Sequence, residues 1–210
     1  MGEIFWVNKW INFTVKWGFP LFFKNGKNPN WFQSLPPTQG GGCLKFFIPQ
    51  NIPAFPPKAH EMEFDLEAFV FFKKHLYLFT KNRTVPFNGI TTLYKIGDHA
   101  ANFDAKKISK FKTCTIAEKL CWITSAALSP SRKKLALLDS QRIWLFENWR
   151  GDDFFSGDKY RIDLGIVTQK EAITFLDENV IIFTDEDFHG IGGNAYSIDL
   201  NDVEKHKPPN

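Results

Sequence analysis

Two glutamates, Glu67 and Glu171, open stretches of sequence that read alike, and Asp65 stands two residues before the first. Carboxylates brought from several strands to one point make a hard-oxygen site suited to Ca²⁺, which takes about six to eight oxygens. Asp185-Glu-Asp187 adds an acidic cluster, followed by His189-Gly-Ile-Gly-Gly193. The candidate cation ligands are therefore Asp65, Glu67, Glu171, Asp185 and Glu186. The competing reading is that each Glu accepts hydrogen bonds from a neighbouring strand and simply holds the structure together. The acidic cluster lacks the alternating ligand spacing and terminal Glu of an EF-hand loop. It reads first as a solvated turn in which Gly190, Gly192 and Gly193 supply positive φ.

Other chemistries find no footing. The glycine cluster is followed by no Gly-Lys-Ser/Thr, so it is not a phosphate loop. None of the five His stands at metal-ligand spacing with another His or Cys, and no Gly-x-Ser-x-Gly elbow occurs. Lys81 and Arg83 are a thin version of the basic rim that a phosphoesterase needs. Cys114 and Cys121 flank a link between two strand groups; a disulfide and a pair of reduced thiols are both open, with Cys43 left over.

The elements that must position these residues come from an internal repeat. Residues 67–82 (Glu-Ala-Phe-Val-Phe-Phe-Lys-Lys-His-Leu-Tyr-Leu-Phe-Thr-Lys-Asn) align without a gap on residues 171–186 (Glu-Ala-Ile-Thr-Phe-Leu-Asp-Glu-Asn-Val-Ile-Ile-Phe-Thr-Asp-Glu). Each copy reads as a β-hairpin with a two-residue polar turn, Lys73-Lys74 or Asp177-Glu178. Residues 125–139 are a looser copy with a longer turn built on Ser-Pro-Ser-Arg. A third strand follows each hairpin, over 92–96, 143–146 and 195–200. Fourth strands are expected over 107–113 and 158–164. Four strands in about 40–50 residues is the period of a β-propeller blade. The first two strands of each unit are nearly continuous apolar runs, as expected where both faces are covered. A β-sandwich is the runner-up. Helix signals are limited to a short turn at 115–119.

The first sixty residues differ in composition. They carry six Lys and one acid, four of the seven Trp and eight of the twelve Pro. Alternation over residues 11–17 is a period-2 strand signal. Lys16 and Pro20 interrupt the only long apolar stretch, so no membrane span is expected, and no secretory leader is read there. The lysines are scattered, and net charge is +3; nucleic acid is not expected as a partner.

The segments Asp65-Leu-Glu-Ala-Phe, His75-Leu-Tyr-Leu-Phe-Thr-Lys-Asn82, Trp122-Ile-Thr-Ser-Ala-Ala, Ile143-Trp-Leu-Phe and Gln169-Lys-Glu-Ala-Ile-Thr-Phe resemble a secreted bacterial β-propeller family of mostly unknown activity. That family is distantly similar to phytase-like and esterase-like six-bladed propellers. The resemblance covers about residues 44–200. It implies calcium at the clustered acids and an extracellular or periplasmic location. Three blades do not close a six-bladed ring, which points to a partial copy.

The expected organisation is an atypical basic segment over 1–43, a partial all-β propeller over 44–200 and a polar tail over 201–210. The last unit lacks its own fourth strand, which residues 44–48 or 11–17 would supply. The expected function is a non-enzymatic interaction or scaffold module for a protein or carbohydrate ligand, without a cofactor. The alternative is a calcium-dependent phosphoesterase. Uncovered blades imply self-association.

Overall fold

The computed structural model describes residues 58, 60, 62, 63, 65–96, 105–114, 120–187 and 189–208, and gives four further strands by their backbone pairing alone. Those four are β1 (Ile4–Val7), β2 (Trp10–Val15), β3 (Phe19–Lys24) and β4 (Leu44–Phe46). They form one sheet in that order, antiparallel except for β4, which runs parallel to β3. The two segments expected to complete the last blade thus pair within this first sheet instead. The turn expected at 115–119 lies outside the described residues.

The rest is all-β, with no α-helix among the described residues. Strands β5 (Asp65–Phe72), β6 (His75–Lys81), β7 (Ile90–Ile96) and β8 (Ala105–Lys112) form an antiparallel meander. A second follows with β9 (Ser125–Leu128), β10 (Lys134–Leu138), β11 (Arg142–Glu147) and β12 (Asp158–Asp163). A third has three strands, β13 (Lys170–Phe175), β14 (Val180–Asp185) and β15 (Ala195–Asp199). The first strand of each meander lies innermost: β9 packs beside both β5 and β13. This is a blade-like arrangement, and the three blades do not close a ring.

Local chemistry explains the hairpins. Lys73 and Lys74 both take positive φ, 46° and 66°, the backbone of a primed two-residue turn whose twist matches the strands. The third hairpin departs from expectation. It closes through residues 176–179 rather than through Asp177 and Glu178 alone. The reason is Asp177, whose Oδ1 accepts from both Asn179 N and Val180 N at 2.7 Å and builds its own turn.

The middle blade shows why its sequence reads as an unbroken apolar run. Leu135, Leu137, Trp144 and Phe146 face the first blade, while Ala136, Leu138, Ile143 and Leu145 face the third. Both faces are dry: Leu135 through Leu138 have no exposure. Each such leucine contributes roughly 1.5–3 kcal/mol by leaving water. Among the described residues, six Phe gather between the first two blades. Phe154 and Phe155, from the β11–β12 connection, insert among Phe72, Tyr77, Phe79, Phe111 and Phe146 with ring separations of 5.1–6.1 Å. Asp153 holds that connection, accepting from Phe155 N at 3.1 Å and from Ser109 Oγ of β8 at 2.5 Å.

The polar tail is not loose. His206 exchanges both backbone hydrogen bonds with Arg161, at 2.7 and 2.9 Å, and so lies along the outer edge of β12. It adds to the middle blade, although it leaves from the third.

Candidate functional site: a charged rim at the inner strand ends

The innermost strands start, and the second strands end, at one rim of the molecule. Both acids that open the repeat sit at identical irregularities there. Pairing of β5 with β6 shifts between Leu66 and Ala68, and pairing of β13 with β14 shifts between Lys170 and Ala172. Glu67 and Glu171 are therefore the extra residues of two equivalent β-bulges. A bulge releases a residue from the ladder and re-aims its side chain, which is why such irregularities gather beside functional sites.

The two bulged glutamates reach each other's field. Burial raises the Glu171 carboxyl above the usual carboxylate range; the bond from Gln169 opposes this, and the negative charge of Glu67 adds to it. Gln169 Nε2 donates to Glu171 Oε1 at 3.0 Å and to Glu186 Oε2, tying those two acids through one amide. Asp65 lies deeper, 6% exposed. Burial raises its carboxyl and Arg83 lowers it, with burial the larger effect.

The cations at the rim are already engaged. Lys81 Nζ lies 2.5 Å from Glu67 Oε2, and Arg83 Nε lies 2.5 Å from Asp65 Oδ2. Arg83 also reaches Glu67 Oε1 at 3.5 Å. Both cations stand over the Trp122 indole, at 5.3 and 4.9 Å from the ring centre. Trp122 arrives on the link between the first two blades, so this contact joins them. Lys81 and Arg83, the thin version of a basic rim, thus pair with Glu67 and Asp65, two of the candidate cation ligands.

Of the five candidate ligands, Glu67, Glu171 and Glu186 come together with Asp65 close by. Asp185 does something else. Its Oδ1 accepts from Asn194 N at 2.8 Å and its Oδ2 from Tyr196 Oη at 2.9 Å, which fastens the β14–β15 loop. Asn82 and Asp139 have the same role in the other blades. Asn82 accepts from Thr84 N and Oγ1 and donates to Ile90 O; Asp139 accepts from Gln141 N and Arg142 N. Each is a buried polar clasp on the connection to its blade's third strand. Among the described residues, no group of three His, Cys, Asp or Glu is arranged to hold a metal ion.

Sequence reasoning did not single out Trp122 or Gln169 at this rim. It did not mark Lys170 either, a fully enclosed lysine whose Nζ donates to Ser140 O, Ile166 O and Thr168 Oγ1. The only signal for Lys170 was its place next to a repeat glutamate. Around the charged centre the rim connections expose apolar side chains: Val85 at 55%, Ile166 at 49%, Val167 at 56% and Ile191 at 68%.

Cys114 and Cys121 form a disulfide with their Cα atoms 5.9 Å apart. It closes the link that carries Trp122. No helix among the described residues is long and apolar enough to cross a membrane. No protein-family model matches the chain, and no curated protein matches its sequence.

Proposed function

We propose that this chain is a non-enzymatic interaction module of blade-like β architecture, docking a protein or carbohydrate ligand on the rim that carries Glu67, Glu171 and Trp122. The carrying observation is the company these charges keep. Their cations are engaged by the neighbouring acids, while Val85, Ile166, Val167 and Ile191 face solvent on the surrounding connections. Exposed apolar side chains gathered around a polar centre are a feature of interaction surfaces. The described rim also offers no nucleophile paired with a base and an orienting group. The sequence resemblance to secreted propellers of mostly unknown activity agrees with this reading.

A calcium-dependent phosphoesterase is the second reading. What favours it is that Glu67 and Glu171 sit at equivalent bulges, with Glu186 joined to Glu171 through Gln169; what weighs against it is Lys81 in the position of a cation beside Glu67. Hydrolysis of a panel of phosphate monoesters, followed with calcium and with chelator, separates the two. A rate equal to buffer in both conditions is expected. Calcium-dependent turnover that is lost in Glu67→Gln and Glu171→Gln overturns the interaction reading.

A further inference from the structure

The outer strand of the first blade carries four lysines in seven residues: Lys106, Lys107, Lys110 and Lys112, all exposed. Strict alternation would put Lys107 and Lys110 on opposite faces of β8, since they are three residues apart. The structure does otherwise. Pairing of β8 with β7 shifts at Ile108, so Lys107 lies opposite Tyr94, Lys110 opposite Thr92 and Lys112 opposite Ile90. Those partners alternate along β7, so the three lysines share a face. Each step along the row is about 7 Å, the rise of two strand residues. Ile108 turns inward against the aromatic core, as does Phe111. Among the described residues, none of the four lysines is within ion-pair distance of an acid, whereas Lys95 beside them is held by Asp152 at 2.6 Å.

We propose that Lys107, Lys110 and Lys112 form a binding strip for an acidic polysaccharide. A single edge lysine is ordinary protection against strand pairing. A row of three on one face, aligned by a bulge and with no described acid within ion-pair distance, is also a periodic positive surface matched to a periodic anion. The alternatives are disfavoured by what the row lacks. No exposed aromatic is interleaved to stack a nucleic-acid base, because Phe111 is buried. No exposed large apolar side chain sits on β8 to enter a lipid surface; those of the described residues lie on other elements. The Cys114–Cys121 disulfide is of the kind that persists in oxidising surroundings.

The test uses the full chain with four probes: dextran sulfate, polygalacturonate, single-stranded DNA, and vesicles containing phosphatidylserine. Binding is measured at about 50 mM salt, where screening still leaves surface charge effective. The wild type is expected to bind at least one of the two polysaccharides more tightly than DNA or vesicles. The variant Lys107→Gln/Lys110→Gln/Lys112→Gln is expected to lose about tenfold in affinity, three exposed contacts of modest size each. A charge-matched control, Lys133→Gln/Lys159→Gln/Lys205→Gln, is expected to keep it. Circular dichroism confirms that both variants fold. Failure of the wild type to bind either polysaccharide overturns the proposal, as does equal loss in the control. Tighter binding to DNA or to vesicles overturns it in favour of that partner.

Discussion

Trp144 donates its indole N–H to Asp139 Oδ2 at 3.0 Å, and the carboxylate that accepts it has no exposure to solvent. Burial pushes the Asp139 carboxyl up to about 6, against the lowering effects of Arg142, of the backbone bonds and of the Trp144 bond. The native state therefore holds a proton that the unfolded chain has released between about pH 4 and pH 6. Stability from this group is greatest below the unfolded value and falls as pH rises through 6. The contribution is about 3 kcal/mol when fully expressed. Thermal melts of wild type and Asp139→Asn from pH 4 to pH 8 check this. The wild type is expected to lose stability relative to the variant as pH rises to about 6, and parallel curves would refute it.

Lys81 and Glu67 provide a second measurement. Removing this cation, as in Lys81→Met, leaves the half-buried Glu67 with only the longer contact to Arg83 and is expected to cost about 1–3 kcal/mol. Adding Glu67→Gln should recover about 1 kcal/mol of that loss, a coupling readable from a double-mutant cycle in urea. Additive effects would mean that the pair is only a solvent-screened contact.

Two glycines with the same backbone sign should respond very differently. Gly89 has φ +70°, and a Cβ there would lie 1.5 Å from the Cys114 carbonyl oxygen. Gly151 has φ +61° and open space around it. Gly151→Ala is expected to cost about 1 kcal/mol, the strain of a left-handed residue alone. Gly89→Ala should cost well over about 3 kcal/mol or prevent folding, because a backbone oxygen must move. Comparable denaturation midpoints for the two variants would contradict this packing.

Much of the architecture was readable because it rests on patterns that sequence carries directly. The hairpin over 67–82 announces itself by two apolar runs around Lys73 and Lys74. The middle blade reads as continuous Leu-Ala-Leu-Leu because both its faces are covered. Bulges have no such signature. Nothing in the composition around Glu67, Ile108 or Glu171 marks an extra residue in a ladder, yet those three positions decide which side chains share a face. The turn at 176–179 has no plain signature for a related reason: Asp177 builds an Asx-type turn that lengthens the loop by hydrogen bonding rather than by an inserted residue. At the rim, the roles of Lys81 and Arg83 depended on where Trp122 and the acids arrive, which is a matter of blade against blade and not of spacing along the chain.

The Cys114–Cys121 bridge should be measurable as stability. It closes a short loop between the first two blades, for which loss of unfolded-chain freedom accounts for about 2–3 kcal/mol. A urea midpoint taken with and without a thiol reductant is expected to shift by that amount. The double variant Cys114→Ser/Cys121→Ser should show the lowered midpoint without reductant. Coincident transitions in all samples would show that the bridge contributes nothing to the fold.

The pairing of His206 with Arg161 encloses the whole third blade between two points on one strand edge. The third blade therefore cannot peel away alone as an open flap; its detachment strains or breaks a ladder belonging to the middle blade. In hydrogen-exchange terms, the Arg161 amide becomes a remote reporter. Its protection reports whether the tail that leaves β15 stays seated on β12. While that bridge holds, the third blade is latched to the middle one from the outside.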